Sequence, residues 1–436
     1  MPLARIEPPL SKDILRNTTY SSQAPEGYQS TFRMVSNNID HMKTDYPEGM
    51  HCFTTLPQPI TDEVENDGYA ECYCTGWFKR KVLSTPGFPS RVVRPRRLVY
   101  EIRNVAGRGF GVFATEDIAP GDLIMAERPL LVAMVWTAGY RVPGDNVTQE
   151  QLLRGVYIDM EKSTATACAR MSPKNLKAYK SLHNSHKTDG SGPFSGIHRT
   201  NGFDVEVDDP EGVKLGGPGK GHYSCVGAKA SRLNHDCSPN AIHRFNMPAF
   251  SMSIYAVRPI AKGEEITVSY TGVTDDSASR QESLKPYEFT CVCLACKDPA
   301  TSDKERKRVL EGLLPKTSQG VEHADRTLAT FEATGLQCHP RYLDLLRRVA
   351  QINRKKGKPE RAGALDAVAD RLAKVMRTKD EAPDPDVMKA LGIDMQTFKT
   401  PEEVMKFMQS RTGPGTGHHV SVQAVQNLMK TMSVKT

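Results

Sequence analysis

Residues 232–240 read Arg232-Leu-Asn234-His235-Asp-Cys237-Ser-Pro239-Asn240. They bring an amide, an imidazole, a thiol and a rigid proline turn into nine positions. Taken alone, the stretch is a polar turn with one thiol able to bind a metal. It gains weight from a second stretch, Cys291-Val-Cys293-Leu-Ala-Cys296. Three thiols within six residues can converge on one tetrahedral ion, because a short loop can turn all three inward. Such an ion needs a fourth ligand. Cys237 is the best candidate, since it lies in the other motif-dense segment; the alternative is a set of unliganded thiols. Four protein thiolates leave no open position, so a zinc ion held this way is structural.

Two further stretches complete the set. Lys262-Gly263-Glu264-Glu265-Ile-Thr-Val-Ser-Tyr270 is a glycine turn leading into a strand that ends on a tyrosine, bland by itself because most strand tyrosines pack. Gly107-Arg-Gly-Phe-Gly111 is a tight backbone turn. A dinucleotide fingerprint would need glycine at Val112 and a helix afterwards, yet the following residues are strand-like, so an ordinary hairpin stays open.

The 436 residues suggest about three units at roughly 150 residues per domain. Hydrophobic residues make up 38% and charged residues 25%, which argues against wholesale disorder. The longest apolar run, Leu130 to Trp136, is far short of the roughly 18 residues a membrane span needs. Met1-Pro-Leu-Ala-Arg lacks an apolar signal core, so secretion is not expected. Ten cysteines then read as thiols or metal ligands in a reducing compartment. Lys plus Arg number 58 against 51 Asp plus Glu, too small a surplus to argue for nucleic-acid binding. Nine basic residues lie between Lys79 and Arg108, opposed only by Glu101. With Pro86, Pro89 and Pro95 among them, they read as a solvated linker rather than a phosphate-facing patch.

Residues 1–96 show little periodicity and read as a loosely ordered extension. Leu98-Val-Tyr-Glu-Ile, Gly111-Val-Phe-Ala-Thr, parts of Ile118 to Val135, Met252 to Val257 and Ile266 to Tyr270 read as strands. Thr148 with Gln151 forms a capping box, and Ser172-Pro173 an N-cap, in a helical stretch. Leu343, Leu346, Val349 and Ile352 form one helical face, and Ala364, Leu365, Val368, Leu372, Val375 and Met376 the next, after Gly357-Lys-Pro359. The pair predicts an αα-hairpin.

In this order the glycine turn, Asn234-His235-x-Cys237-x-Pro239-Asn240, Gly263-Glu264-Glu265 to Tyr270 and Cys-x-Cys-x-x-Cys resemble the SET domain of protein lysine methyltransferases, with its post-SET zinc site. The resemblance covers about 98 to 300. The approach Arg280-Gln281 to Tyr287-Glu-Phe289-Thr-Cys291 is similar to the SET-and-MYND branch, as is the helical extension behind it. The MYND finger is absent between 131 and 200, as in a fungal-type SET protein. The fold this implies is α+β: a SET domain over 97–272 with a helical insert at about 137–197, a post-SET zinc segment at 273–300, a helical domain at 301–410 and a flexible tail at 411–436. Asp236 stands where serine is usual and Ser269 where many SET domains have aspartate.

The resemblance implies an S-adenosylmethionine-dependent protein-lysine N-methyltransferase acting on a histone or non-histone protein, in the nucleus, the cytoplasm or both. It implies Tyr270 and Tyr287 as the channel tyrosines. It implies cofactor contacts from Arg108, Phe110, Asn201, Asn234, His235, Tyr270 and Phe289, and zinc on Cys237, Cys291, Cys293 and Cys296. A monomer with no membrane and no direct nucleic-acid contact is expected. The rival reading is a catalytically silent SET scaffold that recruits partners through its helical domain. Cys52, Cys72 and Cys74 with His41 and His51 have poor spacing for a second metal site and read as ordinary thiols. Cys168, Cys225 and Cys338 read as buried small hydrophobes, and His418-His419 as solvated.

Overall fold

The computed structural model describes residues 14–28, 51–57, 67–134, 147–205, 207 and 223–376. The chain divides into two units, Met1–Lys297 and Asp298–Thr436. The described residues of the first form three sheets. One has strand order β1 (His51–Leu56), β2 (Ala70–Thr75), β6 (Leu131–Met134), β8 (Tyr223–Val226), β7 (Phe203–Val205). In it β1 and β2 are antiparallel with Cys52 opposite Cys74, and β2 runs parallel to β6.

This sheet corrects the expectation of a loosely ordered stretch up to residue 96. Every residue of β1 and β2 is buried. A strand covered on both faces carries no alternation of apolar and polar side chains, so its period-2 signal vanishes. The basic run is not a free linker either. Lys79 is fully buried on the helix Gly76–Leu83, whose N-terminus is capped by the Thr75 hydroxyl accepting from the Phe78 amide. Beyond it the extended chain is pinned: Ser90 N–H donates to the Pro248 carbonyl, and Asp67 accepts from both the Val92 amide and the Arg94 guanidinium.

The second sheet has the order β10 (Ala241–Asn246), β11 (Ser251–Ala256), β5 (Leu123–Glu127). The third has the order β3 (Tyr100–Val105), β4 (Gly109–Ala114), β12 (Glu265–Val268), β9 (Asn234–His235). The β3–β4 turn carries Gly107 and Gly109, both at φ +74°, where a side chain would be strained. An apolar cluster joins all three sheets, with Val112, Leu131, Tyr223, Ile254 and Ile266 among its buried members.

Between β6 and β7 lie the helices Gln149–Ala169, Pro173–Lys180 and Pro193–Asn201. Both capping-box bonds between Thr148 and Gln151 form, and Ser172 caps the second helix. Glu161 ties the first helix to the third by accepting from the Phe194 and Ser195 amides.

The second unit contains the helices Pro299–Glu311, Val321–Ala333, Arg341–Lys355 and Pro359–Met376. Leu343, Leu346, Val349 and Ile352 are buried, as the apolar face requires. The next helix buries Ala362, Leu365, Ala369, Leu372, Val375 and Met376 and leaves Ala364 exposed. Alanines lie all round this helix, so its period does not separate the faces cleanly. No described helix is long and apolar enough to cross a membrane. His41, His418-His419, residues 377–410 and the tail lie outside the described residues.

Candidate active site and metal centre

The short strand β9 owes its place to β12. The two run parallel, with Asn234 beside Thr267 and His235 beside Val268. The Asn240 side chain ties the turn after β9 to the same strand: it donates to the Glu265 carbonyl at 2.8 Å and accepts from the Thr267 amide at 2.8 Å. Ahead of β9, the Glu127 carboxylate accepts from the Lys229 and Ala230 amides, both at 2.8 Å. Burial pushes that carboxyl above its ordinary range. Nothing in the sequence singled out Glu127, because its partners are backbone groups about 100 residues away.

Tyr270 sits just past β12. Its amide donates to His235 Nδ1 at 2.9 Å, so that nitrogen carries no proton in the neutral ring. His235 Nε2 then holds the hydrogen, and it lies 3.3 Å from Cys237 Sγ. Burial pushes His235 down to about 4, which keeps the ring neutral. The Tyr270 hydroxyl donates to the Leu233 carbonyl at 2.6 Å. Burial, then the charges of Tyr287 and Glu265, push this phenol well above 10. The Tyr287 ring lies 4.8 Å from that of Tyr270, and Phe289 lies 6.1 Å from His235. These aromatic residues are thus brought to one corner.

On the other side of β9, Asn234 Nδ2 donates to the Phe110 carbonyl at 3.2 Å and to Glu265 Oε1 at 2.7 Å. The second carboxylate oxygen accepts from the Arg108 guanidinium at 2.8 Å. Gly111 makes this approach possible, since a Cβ there would lie 2.7 Å from Glu265 Oε1 and 3.2 Å from Asn234 Nδ2. Arg232 lies over the Phe110 ring at 4.8 Å. Phe110 and Phe289 keep 46% and 40% of their surface exposed. Sequence reasoning placed Arg108, Phe110 and Asn234 here but missed Glu265, quoted only as part of a turn. Asn201 is buried at the end of its helix, and its amide donates to the His183 and Ile197 carbonyls at 2.7 and 2.8 Å. Only its Oδ1 is left for a ligand.

The Cys237, Cys291, Cys293 and Cys296 sulfurs all lie within 4.8 Å of one another. Cys237 Sγ is 3.9 Å from Cys291 Sγ and 3.6 Å from Cys296 Sγ. Tetrahedral sulfurs about 2.3 Å from zinc would be about 3.8 Å apart, so the set fits that ion. The chemistry agrees. The Cys237 and Cys291 thiols hold Cys293 far below its ordinary value, while Cys237 itself is pushed up. Several thiolates cannot coexist here unless a cation joins them, and a divalent ion supplies that charge. The local fold makes convergence cheap. The turn Leu294–Lys297 starts at Cys293, whose carbonyl accepts from the Cys296 and Lys297 amides at 2.9 and 3.0 Å. Gln281 grips Cys291 from both sides, donating to its carbonyl and accepting from its amide.

Residues 109–271 match the family model described as the SET domain. The histone-lysine N-methyltransferase set5 of Schizosaccharomyces pombe is 30% identical over 233 residues, 53% of this chain and 58% of that protein. A SET and MYND domain-containing protein of Dictyostelium discoideum is 36% identical over 100 residues, 22% of this chain and 27% of that protein. The chain thus spans little more than half of the first relative and about a quarter of the second. The solved structure of the Neurospora SET domain protein DIM-5, a histone lysine methyltransferase, is 16% identical and covers 41% of this chain and 54% of its own, at a TM-score of 0.22.

Proposed function

We propose that this chain, whose residues 109–271 are a SET domain, is a protein-lysine N-methyltransferase that takes its methyl group from S-adenosylmethionine. The observation that carries the reading is the corner where Tyr270 meets Tyr287 at 4.8 Å while its hydroxyl is spent on the Leu233 carbonyl at 2.6 Å. Similarity to the Schizosaccharomyces pombe histone-lysine N-methyltransferase supports a protein substrate with a target lysine, reached in the nucleus or the cytoplasm.

When bound, S-adenosylmethionine supplies a sulfonium methyl open to in-line displacement by an amine. To use that methyl, the lysine amine would have to arrive neutral, having given one proton to solvent. A free lysine has a pKa of about 10.4, and burial between aromatic rings lowers it by disfavouring the ammonium. Tyr270 is no general base, because its phenol is pushed well above 10. With its proton committed to Leu233, the hydroxyl oxygen is left to accept from the incoming amine and orient it. Tyr287 forms the facing wall. His235 holds the Tyr270 backbone in place, and the four cysteines, with zinc bound, fasten the segment that carries Tyr287 and Phe289.

The test is calorimetry with S-adenosylmethionine on the intact chain, then transfer of a radiolabelled methyl to histones and to fractionated cell lysate. Tyr270→Phe should leave the circular dichroism and cofactor affinity in place and lower turnover by about 100-fold or more, the scale for one positioned polar group. Near-wild-type turnover would sink the assignment. A chain that neither binds the cofactor nor labels any protein would be the scaffold instead.

A further inference from the structure

We propose that Glu265 is a positioning residue of the cofactor pocket: it locks the Asn234 amide with its carbonyl oxygen toward the ligand, and Arg108 locks Glu265. The proposal rests on the methyltransferase reading above and adds a residue and a polarity to it.

A side-chain amide offers two N–H donors and one acceptor oxygen. Both Asn234 donors are spent, one on the Phe110 carbonyl and one on Glu265 Oε1. Neither partner can donate, so turning the amide over would set its oxygen against two acceptors and break both bonds. The bond to the carboxylate is the stronger of the two, at 2.7 Å. Glu265 cannot readily yield. Its other oxygen is held by Arg108 at 2.8 Å, its side chain is 16% exposed, and its backbone is paired with Phe113 in the sheet. Gly111 leaves room for this arrangement and for no other atom.

Only Asn234 Oδ1 therefore remains for a ligand, and it can only accept. A carboxylate on the ligand finds no donor in this side chain. An ammonium instead donates to Asn234 Oδ1, an acceptor backed by the Glu265–Arg108 pair, whose charges offset each other. Arg108 thus serves the pocket at one remove, through Glu265.

The test uses S-adenosylhomocysteine, which carries the ammonium and does not react, and 5′-methylthioadenosine, which lacks the amino-acid end. Both are titrated by calorimetry into the intact chain. Asn234→Asp keeps an acceptor oxygen toward the ammonium and adds negative charge, so an Asn234 acting alone would bind as well or better. With Glu265 opposite, two carboxylates collide, and S-adenosylhomocysteine affinity should fall about 10-fold or more, the cost of losing a charged hydrogen bond. In Asn234→Asp with Glu265→Gln the polarity is reversed, Gln donating to Asp, and affinity should return to within about 3-fold of wild type through coupling of neighbours. 5′-Methylthioadenosine should bind all of these variants equally.

Should Asn234→Asp fail to fold, Glu265→Gln alone serves. Arg108 claims the single remaining acceptor, the Gln amide faces Asn234, and S-adenosylhomocysteine should weaken while 5′-methylthioadenosine does not. Wild-type affinity in Asn234→Asp, or a double variant no better than the single, overturns the proposal. So does parallel loss of both ligands, which marks a merely structural role. A wild-type chain that binds neither ligand fails at the methyltransferase reading itself, a result distinct from failed coupling between 234 and 265.

Discussion

Cys52, Cys72 and Cys74 lie on β1 and β2 inside a sheet, whereas Cys237, Cys291, Cys293 and Cys296 gather from a strand end and a turn. Both sets are cysteine-rich, yet only the second can hold an ion. A strand fixes alternate residues on one face about 6.6 Å apart along the chain, too far for sulfurs that must close to about 3.8 Å around one zinc. Pairing brings Cys52 and Cys74 to 3.9 Å, and that makes two ligands. His51 offers no help, because it directly precedes Cys52 on β1 and alternation along the strand turns it to the opposite face. Among the described residues, only the set around Cys237 brings three or more such groups together. The strand thiols behave as core. Burial pushes Cys72 far up, and the bond that Cys74 donates to Cys52, then burial, does the same to Cys74. A turn has no such constraint on direction, so three thiols can face one point.

The largest expected break between the two regions is Cys293→Ser. It should lower zinc from one per chain to near none, since a structural site depends on its full ligand set. Turnover should fall about 100-fold or more as the Tyr287 and Phe289 segment comes loose, while the β-sheet circular dichroism stays. Full zinc and full activity in this variant would end both the ligand assignment and the coupling.

Acid should separate the regions next. His51, beside Cys52, and His198 are both buried and pushed down to about 4. The folded state keeps them neutral, while the unfolded chain takes up protons near pH 6.5. Between about pH 6.5 and 4 the unfolded state therefore binds more protons, and stability falls as pH falls; above 6.5 these groups contribute no slope. Each costs about 1.4 kcal/mol per pH unit once titrating, so these two together cost about 3 kcal/mol by pH 5.5, and His235 and His243, held down by burial in the same way, add to the loss. Urea unfolding of zinc-loaded and zinc-free protein should show this slope in both. A slope confined to the loaded form would assign acid sensitivity to the thiolates alone.

The smallest effect sharpens the contrast. Cys74→Ala should leave zinc content unchanged and lower stability by about 1–3 kcal/mol, the scale for deleting a large buried atom from a packed sheet. Loss of zinc in this variant would mean that the strand thiols take part in metal binding after all.

Much of the site was legible because its cues are local. Cys291, Cys293 and Cys296 announce a metal by spacing, Gly107 and Gly109 announce a turn by side-chain absence, and Thr148 with Gln151 announces a helix start within four residues. The helical face from Leu343 to Ile352 is also written in one period. What stayed hidden depends on partners far along the chain. The strands β1 and β2 are buried throughout, and part of their cover comes from far along the chain, β6 beside β2 and the helix Gln149–Ala169 against it, so they carry no period of their own. Glu265 looks like any turn glutamate until β4, β9 and β12 are laid side by side and it meets Asn234 and Arg108 together. The residue types needed for the chemistry are thus determined by sequence, because donors, thiols and rings are properties of single side chains. Which way the Asn234 amide faces, and which nitrogen of His235 holds its proton, only the tertiary structure decides, because each depends on what the fold sets on the other side of the bond.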